Sequence, residues 1–328
     1  MQLQWTLVLL LVLTVYLSWP PPPLPDAAIS FRQRGNFFHF KSSSSGEFHR
    51  VFYIDTHGDG PQNRTAVLLH GFPMGSIDWS LMLPGLQELY SRIVIPEELG
   101  FGFSDKPAFY DYTMDGQAEI VEALLHHLGV DSAHVLSHDI GALVGQQMVV
   151  RFNERESRQS TSLRLQSFTS INGPLYLSLD NQLAVQYVIH LPVIGYALSL
   201  FGFEGLYQFN LRAMFGEKNV DEATRNLSYA MLRHKDGHLA QSKIFHYMKE
   251  REWYEAAWIA ALNSTSIPVM YVFGPEDWFH VRAGFERYQR EVPRAKVAEL
   301  ARGIGHTPLW EAPQAAVDVH RDFLDSVQ

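Results

Sequence analysis

Along the chain, short runs of β-branched and aromatic residues alternate with stretches of helical period. The runs occupy residues 51–54, 66–69, 93–95, 133–136, 167–171, 269–273 and 296–300, the length and composition of strands. The clearest helical period covers residues 114–128, where Ile120, Val121, Leu124, Leu125 and Leu128 recur at i, i+3 and i+4. Strands that alternate with helices predict a mostly parallel sheet covered on both faces. Ligands of such sheets lie at the carboxyl ends of the strands, so the residues just after each run are the first candidates for chemistry.

The alternation stops between residues 175 and 264, which are rich in Tyr, Phe and Leu and poor in strand signals. This stretch reads as a helical cap inserted between two strands of a sheet domain that covers residues 36–328. A different break opens the chain. No charged side chain occurs in residues 1–25, and the run WTLVLLLVLTVYLSW of residues 5–19 precedes the prolines 20–23. Counted from Met1 to Trp19, a helix would reach about 28 Å at about 1.5 Å per residue, enough to cross a hydrocarbon core. Its bracketing tryptophans suit bilayer interfaces. The expectation is an N-terminal membrane anchor with a Pro-rich stem. A cleaved signal segment is the alternative, and four consecutive prolines argue against a core helix.

Composition narrows the chemistry. With 46% hydrophobic residues the chain can bury a sizeable core. The absence of cysteine excludes disulfides, thiolate nucleophiles and Cys-ligated zinc. A net charge of −9 disfavours nucleic-acid partners, whose phosphates are neutralised by Lys and Arg. Asn-x-Ser/Thr triplets at Asn63, Asn226 and Asn263 give modest support to a lumenal body.

The segment VLSHDIGALVG (135–145) is the most informative. It places a strand before Ser137-His138-Asp139-Ile140-Gly141 and a helix from Ala142 onward. A sharp strand-to-helix turn strains its central residue and crowds the positions two before and two after, which are here Ser137 and Gly141. Asp139 would then project at a helix N-terminus, where the N–H groups favour its ionised form. Two other readings stay open, Asp139 as a simple N-cap and Ser137 as an esterase nucleophile, although the second puts the bulky Asp139 in the crowded position. The loop His70-Gly71-Phe72-Pro73 follows the run 66–69, and the N–H groups of Phe72 and Ile140 could form a two-donor oxyanion hole. Asp277 follows the run 269–273, and His306 follows 296–300. A carboxylate that fixes one imidazole nitrogen leaves the other to take a proton from water. Asp139, Asp277 and His306 thus stand in the order nucleophile, acid, histidine.

HGFP (70–73), GFGFSDKP (100–107), SHDIG (137–141), GPED (274–277) and GH…EAP (305–313) resemble the α/β-hydrolase superfamily, in particular its epoxide hydrolase and haloalkane dehalogenase branch. The resemblance implies an α/β-hydrolase fold with a mostly parallel eight-stranded sheet, helices on both faces and an inserted cap. It also implies covalent catalysis: Asp139 forms an alkyl ester on an apolar or lipid-like substrate, and water activated by His306 with Asp277 hydrolyses it, without cofactor or metal. The apolar N-terminus together with LLHGFP (68–73), FGFSDKP (101–107) and IVEALLHHLG (120–129) is similar to a membrane-associated vertebrate group. That likeness implies the endoplasmic reticulum membrane as location, with secretion as the alternative. Three departures bear on substrate. Ile140 stands where dehalogenases carry a halide-binding Trp. Tyr176, Tyr187, Tyr207, Tyr229 and Tyr254 are available as the ring-protonating cap tyrosines of epoxide hydrolases, but no motif selects among them. Glu97 replaces the usual Asp before the GxGxS turn, in a structural role. A non-catalytic binding protein of the same fold is the remaining alternative.

Overall fold

The computed structural model describes Trp5 and residues 20–327, apart from residues 44, 160–161, 185, 190, 202–203 and 217–219. The proposed anchor, residues 5–19, lies almost wholly outside the described residues. Among the described residues no helix is long and apolar enough to cross a membrane.

Eight strands form one sheet in the order β1-β2-β4-β3-β5-β6-β7-β8. They are β1 (Asn36–Lys41), β2 (Phe48–His57), β3 (Thr65–Leu69), β4 (Arg92–Pro96), β5 (Ser132–His138), β6 (Arg164–Ile171), β7 (Val269–Phe273) and β8 (Lys296–Glu299). β1 and β2 pair antiparallel, as do β2 and β4, and every other pairing is parallel. Strand β1 is the one that patterning does not reveal: its sequence NFFHFK alternates poorly, and its burial comes from the hairpin with β2. The helix expected over 114–128 is Met114–His127, capped by the Thr113 side chain accepting from the Gly116 N–H.

Successive side chains of a strand point to opposite faces, and here each face has its own core. Val67, Leu69, Val94 and Val135 belong to one apolar cluster, while Ala66, Leu68, Ile95 and Leu136 belong to the other. Burial on both sides explains why these strands read as continuous apolar runs. Between β6 and β7 the chain leaves the sheet for a set of helices, the longest being Glu222–Arg233 and Tyr247–Ser264. The helix Asp26–Gln33, just after the prolines, packs beside Glu222–Arg233: Ala28 and Phe31 share a cluster with Leu227 and Met231.

Candidate active site

Strand β5 pairs with β6 as far as His138, and the following helix, Ile140–Ser157, begins at Ile140. The turn is therefore tighter than the five residues expected from the sequence and consists of Asp139 alone. Its backbone sits at φ 47°, ψ −126°, a region non-glycine residues rarely occupy. The turn survives because its neighbours leave room. A Cβ at Gly141 would lie 2.4 Å from the His70 carbonyl oxygen, and one at Gly71 would lie 2.9 Å from Asp139 Cβ. Asp139 has no side-chain capping bond to its helix, so the N-cap reading fails and the carboxylate is left for the cavity above. Ser137 is turned the other way, buried, with its hydroxyl donating to the Thr169 carbonyl at 2.9 Å. That geometry removes the Ser137 nucleophile reading.

The Phe72 N–H donates to Asp139 Oδ2 at 2.9 Å. Ile140, the other expected donor, occupies the first position of the helix. His306 Nδ1 lies 2.8 Å from Asp277 Oδ2, and its Nε2 lies 3.6 Å from Asp139 Oδ1. Asp277 Oδ1 in turn accepts from the Phe279 and His280 N–H groups at 2.8 and 3.1 Å. The sequence-derived residues thus converge at the carboxyl ends of β3, β5, β7 and β8.

Four further buried residues brace the site, and the sequence marked a structural role for Glu97 alone among them. Asn172, buried after β6, donates through Nδ2 to the Gly305 and His306 carbonyls and accepts the Gly274 N–H at 2.8 Å, locking the acid loop to the histidine loop. His138 Nε2 donates to the His306 carbonyl at 2.8 Å. Glu311 accepts from the N–H groups of Gly305, Thr307 and, in the cap, Gly216. Glu97 takes the structural role expected of it, accepting from the backbone of Ser76, Phe103 and Ser104.

Electrostatics sort the carboxyls. Burial alone would raise Asp139, but the hydrogen bond and charge of His306, with His138 and His280 nearby, hold it well below the ordinary carboxylate range. Burial likewise opposes the charge on His306, yet Asp277 and Asp139 hold its pKa well above the ordinary histidine value. The resting site is thus an imidazolium between two carboxylates. Nearby, burial pushes Asp78 up to about 8 and Glu98 well above its ordinary value, the charge of Asp139 adding to both. Both shifts favour the neutral acid, whereas Asp139 and Asp277 are the carboxylates in contact with His306. Asp139, His280 and His306 could together offer three metal-ligand atoms within 4.8 Å of one another. A protonated His306 has no lone pair to give, so the arrangement fits a proton better than a cation.

A cavity of about 250 Å³ opens over Asp139 and His306, with walls that include Phe72, Ile189, Leu211, Met214, Phe245 and Met248. Two tyrosines reach it. Tyr207 is tied to the Ser228 hydroxyl, whereas the Tyr247 hydroxyl has no hydrogen bond to another of the described residues. Of the other tyrosines considered, Tyr187 and Tyr254 are exposed, Tyr176 lies against Arg287, and Tyr229 sits behind Tyr207. Tyr247 opens the helix Tyr247–Ser264, and no local motif marks it. One turn on, buried Arg251 donates to Asp180 Oδ2, which also lies 2.9 Å from His280 Nδ1.

With this geometry, the fold and site define a class. The family profile described as "alpha/beta hydrolase fold" matches residues 66–313, and the chain belongs to that family. Over 324 residues it is 33% identical to the mesoderm-specific transcript homolog protein of Bos taurus, covering 96% of this chain and 93% of that protein. Solved structures of the fold include a thermophilic esterase from Thermogutta terrifontis (TM-score 0.70, 18% identity, 89% of this chain and 99% of that one). A haloalkane dehalogenase from Bradyrhizobium elkani is equally similar (TM-score 0.70, 16% identity, 89% and 98%). The fold alone therefore does not choose the reaction.

Proposed function

We propose that the protein is a hydrolase of epoxide-hydrolase type acting on apolar, lipid-like epoxides. The observation that carries this reading is the carboxylate at the strained turn: Asp139 holds Oδ2 on the Phe72 N–H and keeps Oδ1 toward the cavity and His306. Oδ1 attacks a ring carbon. The C–O bond breaks toward the ring oxygen, which takes a proton from the Tyr247 hydroxyl, and an alkyl ester of Asp139 results. Ester formation removes the charge of Asp139, one of the groups that keep His306 protonated. His306 then sheds its proton, restoring Tyr247. Its Nε2 next takes a proton from water, and the hydroxide adds to the Asp139 carbonyl carbon, whose oxyanion faces the Phe72 and Ile140 N–H groups. Collapse of the adduct breaks the C–O bond to the alkoxide, which takes the proton from His306 and leaves as the diol. The acid proton of Asp139 returns to His306, which restores the resting ion pair. Ile140 offers no side-chain donor for a halide, so dehalogenation is the weaker reading.

The same proposal places the enzyme at the endoplasmic reticulum membrane through residues 5–19, with its body in the lumen. Exposed Asn63 and Asn226 suit glycans, whereas the Asn263 amide is committed to the Ile259 and Glu291 carbonyls. Single-turnover reaction of excess enzyme with methyl 9,10-epoxystearate in heavy-oxygen water tests the chemistry. The first diol is expected to carry unlabelled oxygen from Asp139. Solvent label in that first diol would rule out the ester.

A further inference from the structure

We propose that the cap helix Pro192–Phe201 seats on a lipid bilayer, so that the cavity opens at the membrane surface. This goes beyond the Asp139 chemistry and stands without it. The helix is built inside out. Its inward positions are small, Gly195 and Ser199, both buried. A Cβ at Gly195 would lie 1.7 Å from the Ile189 carbonyl oxygen, so the helix cannot turn a larger side chain inward there. Its large apolar side chains face out instead: Val193 is 82% exposed, Ile194 51%, Tyr196 50% and Leu198 41%. Tyr187, on the preceding helix, and Phe209, on the following one, add to the same cap segment at 59% and 69%. An apolar surface of this kind on a water-facing helix marks an interaction site.

Three observations name the bilayer as its occupant. From Asn181 to Phe203 the chain carries no Asp, Glu, Lys or Arg, so no charged side chain has to be desolvated when this segment enters an acyl boundary. Residues 5–19 carry no charge, and the helix Asp26–Gln33, six residues after Pro20, packs on the cap helix Glu222–Arg233, so the described chain begins beside the cap. Leu198 and Ser199 of the same helix line the cavity over Asp139, so the patch is continuous with the cavity wall.

The chain has no cysteine, so a single one can be introduced without background. Full-length Val193→Cys, labelled with an environment-sensitive nitrobenzoxadiazole dye, is incorporated into phosphatidylcholine vesicles with or without doxyl-labelled lipid. Phe48→Cys, at a 67% exposed position on β2, serves as reference. Emission from position 193 is expected to shift to the blue in vesicles and to fall at least about twofold with the doxyl lipid, while position 48 stays unchanged. Absence of quenching at 193, or equal quenching at 48, overturns the proposal. Oxidative cross-linking of Val193→Cys chains to each other on the vesicles would overturn it in favour of a second copy.

Discussion

The strand ends and the cap treat polar atoms in opposite ways. At the strand ends, Asp277 receives two backbone N–H groups and the imidazole, Asn172 makes three bonds across two loops, and Glu311 fastens the histidine loop to the cap. In the cavity under the cap, most walls are apolar and Tyr247 keeps an uncommitted hydroxyl. Over-determined geometry suits a reacting centre, where a small misplacement of atoms is costly. Loosely specified apolar walls suit a substrate recognised by shape and hydrophobicity. In the proposed reaction the nucleophile and the base therefore stand at the strand ends, and the proton donor and the apolar walls come from the cap. This division is consistent with an esterase and a dehalogenase sharing the fold equally well.

Substitutions can break that division or sharpen it. The largest effect belongs to the nucleophile: Asp139→Ala should lower epoxide turnover by about 10⁴-fold or more while leaving the unfolding midpoint near that of the wild type, read by diol formation and urea denaturation. Tyr247→Phe should slow ester formation by about 10²-fold in pre-steady-state assays, with Tyr207→Phe far milder, because of the two tyrosines in the cavity Tyr207 is the one held by Ser228. Equal losses at the two tyrosines would mean that the cap takes part in chemistry in a different way. Asn172→Ala should cost roughly 3 kcal/mol in urea unfolding, since it removes the buried partner of the Gly274 N–H and of the Gly305 carbonyl, while the His306 carbonyl keeps only His138. The smallest effect lies in the cap wall. Leu183→Trp should raise KM for long-chain epoxides by about 10-fold yet change kcat for a small epoxide by less than about threefold.

Much of the strand-end site was legible in the sequence because its parts are local. A turn that tolerates only small neighbours leaves Ser137, Asp139 and Gly141 at fixed spacing, and Asp277 and His306 each follow an apolar run. The braces were not legible. Asn172 and His138 act on partners far away in sequence, Gly274 and His306, and the reach of Glu311 to Gly216 in the cap is equally long, so no spacing announces these contacts. Ser137 shows the limit from the other side: as a sequence symbol it is a possible nucleophile, and only pairing of β5 with β6 reveals that its hydroxyl faces the Thr169 carbonyl. Strand β1 stayed hidden because its burial depends on a hairpin partner. Tyr247 could not be told from Tyr254 until the helix they share was placed against the cavity.

The most direct test of the central claim is intact-protein and peptide mass spectrometry of His306→Gln after incubation with 1,2-epoxydodecane. That variant keeps the carboxylate but lacks the base, so ester should form and persist. The account predicts an added mass equal to the whole epoxide, localised to the peptide that contains Asp139 and absent from Asp139→Ala/His306→Gln. An unmodified Asp139 peptide under conditions where the wild type yields diol would contradict it.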